Sequence, residues 1–397
     1  MLSLCMIVRD EAATLKRCIE SAQGVADEII VVDTGSVDRT VDIAKALGAD
    51  VHSFTWDDDF AAARNESLRH AKGDWILVLD ADEMLVPAVV PTLRAAVQRD
   101  DAIAITLWRE ETGTTYPYSL LSRLFRNRPD IVFSRPYHES IDDSVTAILA
   151  QAPQWQVVEL PGIAIRHTGY QTAVIAQRQK HDRARRTMER YLNEHPDDSY
   201  ICSKLGALYA DMGDLAQGIA LLHQGLQTAT AAPVRYELHY HLGSIYSQQQ
   251  DWAQADAHFQ QAVEQPLSQR LKLGAYNNWG SMLKDRGELV RARTLYQTVL
   301  AIEPDLAVGH YNLGLTLKAM GDLGLAIAHY ERAIQLNPTY AEAHQNLGVA
   351  LLKAGRVSDS LESFQRAIVL YEQQDSPEGA RLRDSLQQMG LLNTTRH

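Results

Sequence analysis

Only three cysteines occur in 397 residues, Cys5, Cys18 and Cys202, far apart and without a C-x-x-C pair. That scarcity excludes a disulfide framework and a structural zinc site, and it suits buried thiols in a reducing compartment. Positive charge is also short: 38 Lys and Arg stand against 50 Asp and Glu, a net charge of −12. A nucleic-acid binder would show the opposite balance. No G-x-G-x-x-G follows a strand-like run and no G-x-x-x-x-G-K-[ST] occurs, so neither the dinucleotide fingerprint nor the P-loop is supported. No apolar run approaches the roughly 20 residues of a membrane span. The opening run "LSLCMIV" lacks the basic flank and small-residue cleavage site of a signal peptide and reads as a first strand. The expectation is a cytoplasmic protein with no membrane span and no nucleic-acid partner.

What is present is an ordinary globular composition, 46% hydrophobic and 22% charged, on a chain long enough for about two or three domains. The two halves differ in texture. Up to about residue 170, short β-branched runs alternate with helical stretches: "LSLCMIV", "EAATLKRCIESAQ", "EIIVVD", "SVDRTVDIAKALGA", "VHSFTW". This is the βαβ alternation of a doubly wound sheet. From about Ser199 onward strand signals vanish and the pattern is helical, with Gly-Asp and Gly-Glu turns. Between them, 171–198 reads as a charged linker helix carrying "QRQKHDRARRTMERYLNEHPDD".

The second half repeats. Trp279-Gly280, Leu313-Gly314 and Leu347-Gly348 recur every 34 residues, as do Gly287, Gly321 and Gly355, and Pro304 and Pro338. Looser copies begin at "LGALY" (Leu205) and "LGSIY" (Leu242). This period and pattern resemble the tetratricopeptide repeat, in which stacked helix pairs bury one continuous core. The repeats are expected over 199–375, about five copies, with a capping helix and tail over 376–397.

In the first half the stretch "WILVLDADE" carries an apolar run, suited to a buried strand, into Asp80, Asp82 and Glu83. The C-terminal end of such a strand is where ligands sit in an open α/β sheet. A D-x-D placed there suits Mg²⁺ or Mn²⁺, which take oxygen ligands and bridge to a substrate diphosphate. The alternative is that these carboxylates only cap a helix begun near Pro87.

The motifs "SLCMIVRDEAATLKRCIES", "DEIIVVDTGSVDRT", "FTWDDDFAAARNESL" and "GDWILVLDADE" occur in that order, and with them the first 170 residues resemble a family 2 glycosyltransferase of the GT-A fold. The fold expected is therefore an α/β GT-A domain, the Rossmann-like nucleotide-diphospho-sugar transferase fold, followed by an all-α tetratricopeptide superhelix. The resemblance implies an inverting transferase using a nucleotide sugar, usually a UDP-sugar, with Asp80 and Asp82 holding the metal and Ala81 against the donor. It implies that metal and pyrophosphate together cancel the carboxylate charge. It gives Asp33 to the nucleotide base, Arg9, Asp10 and Glu11 to the base or ribose, and Arg64 and Asn65 to the pyrophosphate. Asp33 also reads as a cap for a helix starting at Val37, a role Ser36 would fill alone. "WDDDF", Trp56 to Phe60, is a family-like signature without a role for each aspartate. Inversion needs a base for the acceptor hydroxyl, and "RPYHESI", similar to a His-Glu signature of this branch, nominates Glu139, with Asp142 and Asp143 behind it. His167 in "IAIRHTGY" is the late histidine that completes the metal site in many such enzymes.

Asn278, Asn312 and Asn346 precede the three Trp/Leu-Gly pairs and fall on one face of successive first helices. The arrangement is similar to the asparagine ladder of protein O-GlcNAc transferases, since an amide pairs with peptide backbone of any sequence. Lys204 and His241 hold the equivalent earlier positions. The function expected is a metal-dependent glycosyltransferase of protein glycosylation whose repeats recruit a protein or peptide acceptor, self-association of the repeats being a further expectation. The alternatives are a glycan or lipid acceptor, or an interaction scaffold with a degenerate transferase half.

Overall fold

The structure is a computed structural model and describes residues 1–111, 118–167 and 174–391. The H-x-G-Y continuation beyond His167, the start of the linker at 171–173 and the tail at 392–397 lie outside the described residues. The chain divides into two compact units, Met1–Val234 and Arg235–His397.

The first unit is built on a sheet of β1 (Leu2–Val8), β2 (Glu28–Asp33), β3 (Asp50–Ser53), β4 (Trp75–Val78), β5 (Glu83–Leu85), β6 (Ala102–Glu111), β7 (Tyr118–Arg126) and β8 (Gln156–His167). Its strand order is β3-β2-β1-β4-β7-β6-β8-β5. The first four strands in that order are parallel. From β7 onward the sheet is mixed, since β4 and β6 both pair antiparallel with β7. The doubly wound expectation thus holds for the N-terminal half of the sheet only.

Period-2 burial explains the layering. In β1, Leu4 and Met6 join the core on one face with α1 (Leu15–Ser21), α2 (Thr40–Ala46) and α4 (Val90–Ala96), while Cys5 joins the core on the other. That second core includes residues of α3 (Phe60–His70) and α5 (Asp142–Gln151). Both faces are covered, hence the nearly continuous apolar runs. β4 divides likewise, with Trp75 and Leu77 on one face and Ile76 and Val78 on the other.

The rest of the first unit is helical: α6 (Val174–Glu194), α7 (Ser199–Asp211) and α8 (Leu215–Thr228). The second unit continues the run with α9 (Ala232–Gln248), α10 (Trp252–Glu264), α11 (Leu273–Asp285), α12 (Leu289–Ile302), α13 (Ala307–Met320), α14 (Leu323–Leu336), α15 (Ala341–Lys353), α16 (Val357–Gln373) and α17 (Glu378–Gln388). The conserved spacing has a steric cause. Each first-helix glycine faces a large side chain sixteen residues later: Gly206 Leu222, Gly243 Phe259, Gly280 Tyr296, Gly314 Tyr330 and Gly348 Phe364. A Cβ on Gly314 would lie 2.8 Å from the Tyr330 ring, so any larger residue would push the two helices apart. Among the described residues no helix is long and apolar enough to cross a membrane.

Candidate active site

β2, β1 and β4 run parallel and side by side, so their C-terminal ends open at one edge of the sheet, the ligand edge of an open α/β sheet. At the end of β2 the buried Asp33 accepts hydrogen bonds from the N–H groups of Gly35 (3.1 Å) and Ser36 (3.2 Å). It thus holds its own turn. α2 begins at Thr40 rather than Val37, and Asp38 Oδ1 accepts from the Thr40 N–H at 2.9 Å. The loop after β1 is knitted to this turn. Asp10, in the left-handed region at φ 56°, accepts from the Val37 N–H at 2.8 Å, and the Glu11 N–H donates to Thr40 Oγ1 at 2.7 Å. Arg9 is exposed beside them. Burial pushes the Glu11 carboxyl up; a hydrogen bond from Thr14 offsets part of this, and Asp82 and Asp80 add to the rise.

After β4 the chain closes a turn on itself. The Asp80 N–H donates to Glu83 Oε2 at 2.9 Å and the Glu83 N–H donates to the Asp80 carbonyl at 2.9 Å. Glu83 is fully buried and pairs with Arg109 at 2.9 Å. Asp80 offers one oxygen to Arg64 (2.5 Å) and the other to Arg123 (2.8 Å). Burial alone would raise its carboxyl, but Arg123 and Arg64 hold it far below the usual carboxylate range. Arginines of α3, β6 and β7 thus pair with Asp80 and Glu83, a source of counter-charge that the sequence motifs did not announce. Arg109 and Arg123 were not legible as site residues, because β6 and β7 reach the site only through non-local pairing.

Asp82 points elsewhere. The antiparallel β5–β8 register sets Glu83 opposite His167, and Asp82 Oδ2 lies 3.0 Å from His167 Nε2. The other ring nitrogen, Nδ1, hydrogen-bonds Glu111 at the end of β6. Hydrogen bonds to Asp82 and Glu111 push the His167 imidazole up to about 10, against the opposing effect of burial. Among the described residues no group of three or more His, Cys, Asp or Glu side chains forms a metal site. The donor set nevertheless fits a hard divalent cation that keeps several waters and takes substrate oxygens. Asp82 supplies an oxygen, His167 supplies Nε2, and a carboxylate on Nδ1 is the usual outer partner of a metal-bound histidine. Ala81 is buried between the two aspartates, and its side chain is a methyl group.

Arg64 links this edge to the candidate base. It is 3% exposed and its Nε pairs with Glu139 Oε1 at 2.5 Å while Nη2 pairs with Asp80. Burial opposes its charge, but Asp80 and Glu139 outweigh that and raise its affinity for the proton. Its Nη1 is buried with no hydrogen-bond partner among the described residues. Asn65, expected beside the pyrophosphate, is committed elsewhere. Nδ2 donates to the Phe133 carbonyl (2.9 Å), and the Phe133 N–H donates to Oδ1 (2.8 Å). Being one residue on from Arg64 along α3 turns it to a different face. Asp143 pairs with Arg135 at 2.7 Å, and Asp142 is exposed at the start of α5. "WDDDF" gains roles: Asp59 caps α3 by accepting from the Ala62 N–H, and Asp58 accepts from the Trp56 indole and from Arg183.

In the second unit the asparagine rungs bond to the scaffold. Asn278 donates to the Tyr240 hydroxyl (3.1 Å) and Asn312 to Asn277 (2.6 Å). Asn346 donates to Tyr311 (3.1 Å) and to the Glu342 carbonyl, and accepts from Lys318 (2.6 Å).

Comparison with known proteins agrees with this anatomy. Residues 3–157 match the profile of Glycosyl transferase family 2, and tetratricopeptide profiles match 168–198, 238–271, 280–321 and 317–355. The TPR repeat-containing protein Synpcc7942_0270 of Synechococcus elongatus is 47% identical over 304 residues, 76% of this chain and 75% of the relative. The SPbeta prophage-derived glycosyltransferase SunS of Bacillus subtilis is 33% identical over 142 residues, 34% of this chain and 33% of the relative. An uncharacterized glycosyltransferase of Rickettsia bellii is 32% identical over 154 residues, 36% of this chain and 52% of the relative. Among solved structures, the TPR protein YrrB, described as having an unusual peptide-binding site, is similar at 18% identity and a TM-score of 0.41, covering 51% of this chain and 100% of that one. The chain belongs to the family 2 glycosyltransferases that carry tetratricopeptide repeats, and it is a glycosyltransferase.

Proposed function

We propose that the protein transfers a sugar, with inversion, from a nucleoside-diphosphate sugar, UDP-linked, to a protein or peptide presented through its repeats. The observation that carries the donor half is the convergence of Asp82 and His167 at 3.0 Å on the ligand edge, with Glu111 behind the histidine. Those two side chains hold a divalent cation, Mn²⁺ or Mg²⁺. When bound, the cation supplies positive charge to the diphosphate leaving group.

This chain's own residues do the rest. The Asp33 turn and the loop of Arg9, Asp10 and Glu11 form the floor for the nucleoside. Arg123, 14% exposed beside Asp80, adds a guanidinium near the diphosphate, where bidentate pairing with phosphate oxygens is available. Glu139 takes the proton of the acceptor as it attacks. Arg64 holds Oε1, which leaves Oε2 for that proton, and so fixes the distance between the base and the D-x-D. On the acceptor side Asn278 and Asn312 are the rungs that keep amide capacity, whereas Asn346 has both its N–H groups and its carbonyl engaged.

The test is release of UDP from a panel of UDP-sugars without acceptor, with and without manganese. Metal-dependent release from one sugar, abolished in Asp82→Asn, is the expected result. Release that ignores both metal and Asp82 would overturn the assignment.

A further inference from the structure

The loop that carries Glu139 is held only in part by its own sequence. It closes where Ser134 and Ser140 exchange backbone hydrogen bonds at 3.0 and 3.3 Å. Within it Arg135 (φ 74°) and His138 (φ 57°) both sit in the left-handed region. Residues other than glycine stay there only when the surroundings over-determine them. The surroundings are α3, whose Phe60 N–H donates to the Pro136 carbonyl at 3.0 Å, the start of α5, and the first helices of the C-terminal half, which belong to the same compact unit as the sheet. Arg135 Nε donates to Asp198 Oδ2 at 2.8 Å, and the two side chains are only 10% and 11% exposed. The guanidinium carbon lies 4.9 Å from the centre of the Tyr200 ring, and a second pair reaches Asp143 at 2.7 Å. Tyr137 packs on the apolar cluster of Ala184, Met188, Leu192, Ile201 and Leu205. Asp198 serves twice, since its Oδ1 also caps α7 by accepting from the Ile201 N–H at 2.9 Å.

From this clasp we infer that Arg135 is a positioning residue for the transfer reaction. Held by Asp198 at the start of α7, it fixes the 134–140 loop and with it Glu139. The first repeat helix is then part of the catalytic apparatus as well as the start of a recruitment surface. The inference rests on the reading of Glu139 as the base. It differs from that reading in naming which contact places the carboxylate, a contact more than fifty residues along the chain and made by a helix with no chemistry of its own.

The test uses the full chain carrying Asp198→Asn. Asparagine caps a helix as well as aspartate, so α7 keeps its cap while Arg135 loses the one of its two carboxylate partners that ties it to α7 and keeps Asp143. Two quantities are read: steady-state turnover with manganese and the active UDP-sugar, and amide hydrogen exchange across 134–140. Misplacing a reacting group by about 1 Å costs on the order of 100-fold. The expected result is a fall in kcat of at least about tenfold with donor KM nearly unchanged, together with faster exchange confined to 134–140. Unchanged turnover overturns the inference, whether or not exchange rises. Glu139→Gln, measured alongside, separates the two readings. If it keeps wild-type turnover, the base assignment falls, and unaltered exchange in Asp198→Asn would overturn the clasp on its own.

Discussion

Replacing Arg64 by methionine removes one buried guanidinium of similar length and leaves two carboxylates to be accounted for. Breaking a buried ion pair by deleting one partner costs about 3–5 kcal/mol, because the surviving charge is stranded. Glu139, 12% exposed, loses its 2.5 Å partner, whereas Asp80 keeps Arg123 at 2.8 Å. The upper part of that range therefore applies to Glu139 and little of it to Asp80. A gain opposes it, because the unpartnered Nη1 disappears, relieving about 1–2 kcal/mol of unsatisfied polar burial. The net is about 3 kcal/mol. For a unit of this size that is a fall of roughly 6–12 °C in Tm, read by differential scanning calorimetry of the metal-free protein. The double variant Arg64→Met/Glu139→Gln removes the stranded charge and recovers about 1–2 kcal/mol relative to the sum of the singles. A loss below about 1 kcal/mol for Arg64→Met, or strict additivity in the cycle, would refute the view of Arg64 as the fork joining base and D-x-D.

Three further outcomes are expected. Glu111→Gln weakens manganese binding by about 10- to 100-fold in calorimetric titration, since the partner that fixes the His167 ring is lost, while melting of the repeats is unaltered. Gly314→Ala forces a Cβ to 2.8 Å from the Tyr330 ring and costs about 1–3 kcal/mol in urea unfolding of the repeats. His167, raised to about 10 from 6.5 by Asp82 and Glu111, contributes stability that is full below pH about 6.5 and is lost as pH rises through about 10. Urea unfolding of the metal-free protein should therefore show His167→Asn narrowing its deficit against wild type between pH 7 and 10, by on the order of 2 kcal/mol after screening at the partly exposed ring.

What was legible in the sequence was local. The runs of β1, β2 and β4 each end in a carboxylate within a few residues, so Asp10, Asp33 and Asp80 fell at the ligand edge as expected. The 34-residue period announced the repeats, and the glycine at each Leu-Gly pair announced where two helices touch. Non-local pairing hid the rest. Asp82 and His167, which meet across 85 positions of sequence, were brought together beforehand only by the family resemblance, and Glu111, Arg109 and Arg123 arrive on strands whose charged residues look like ordinary solvated faces. The arginine partners of Asp80 and Glu83 were missed for that reason: a carboxylate cluster in sequence has no visible protein counter-charge until β6 and β7 bring it. Asn65 is a different case, since one step along a helix turns a side chain by about 100°, from the Asp80 side to the Phe133 backbone.

The most direct test of the donor site is calorimetric titration of the protein with UDP and with GDP, each with and without manganese, in wild type and Asp82→Asn. Binding of UDP that requires manganese and is lost in the variant is the expected result. UDP binding of equal strength without metal, or untouched by Asp82→Asn, would contradict it.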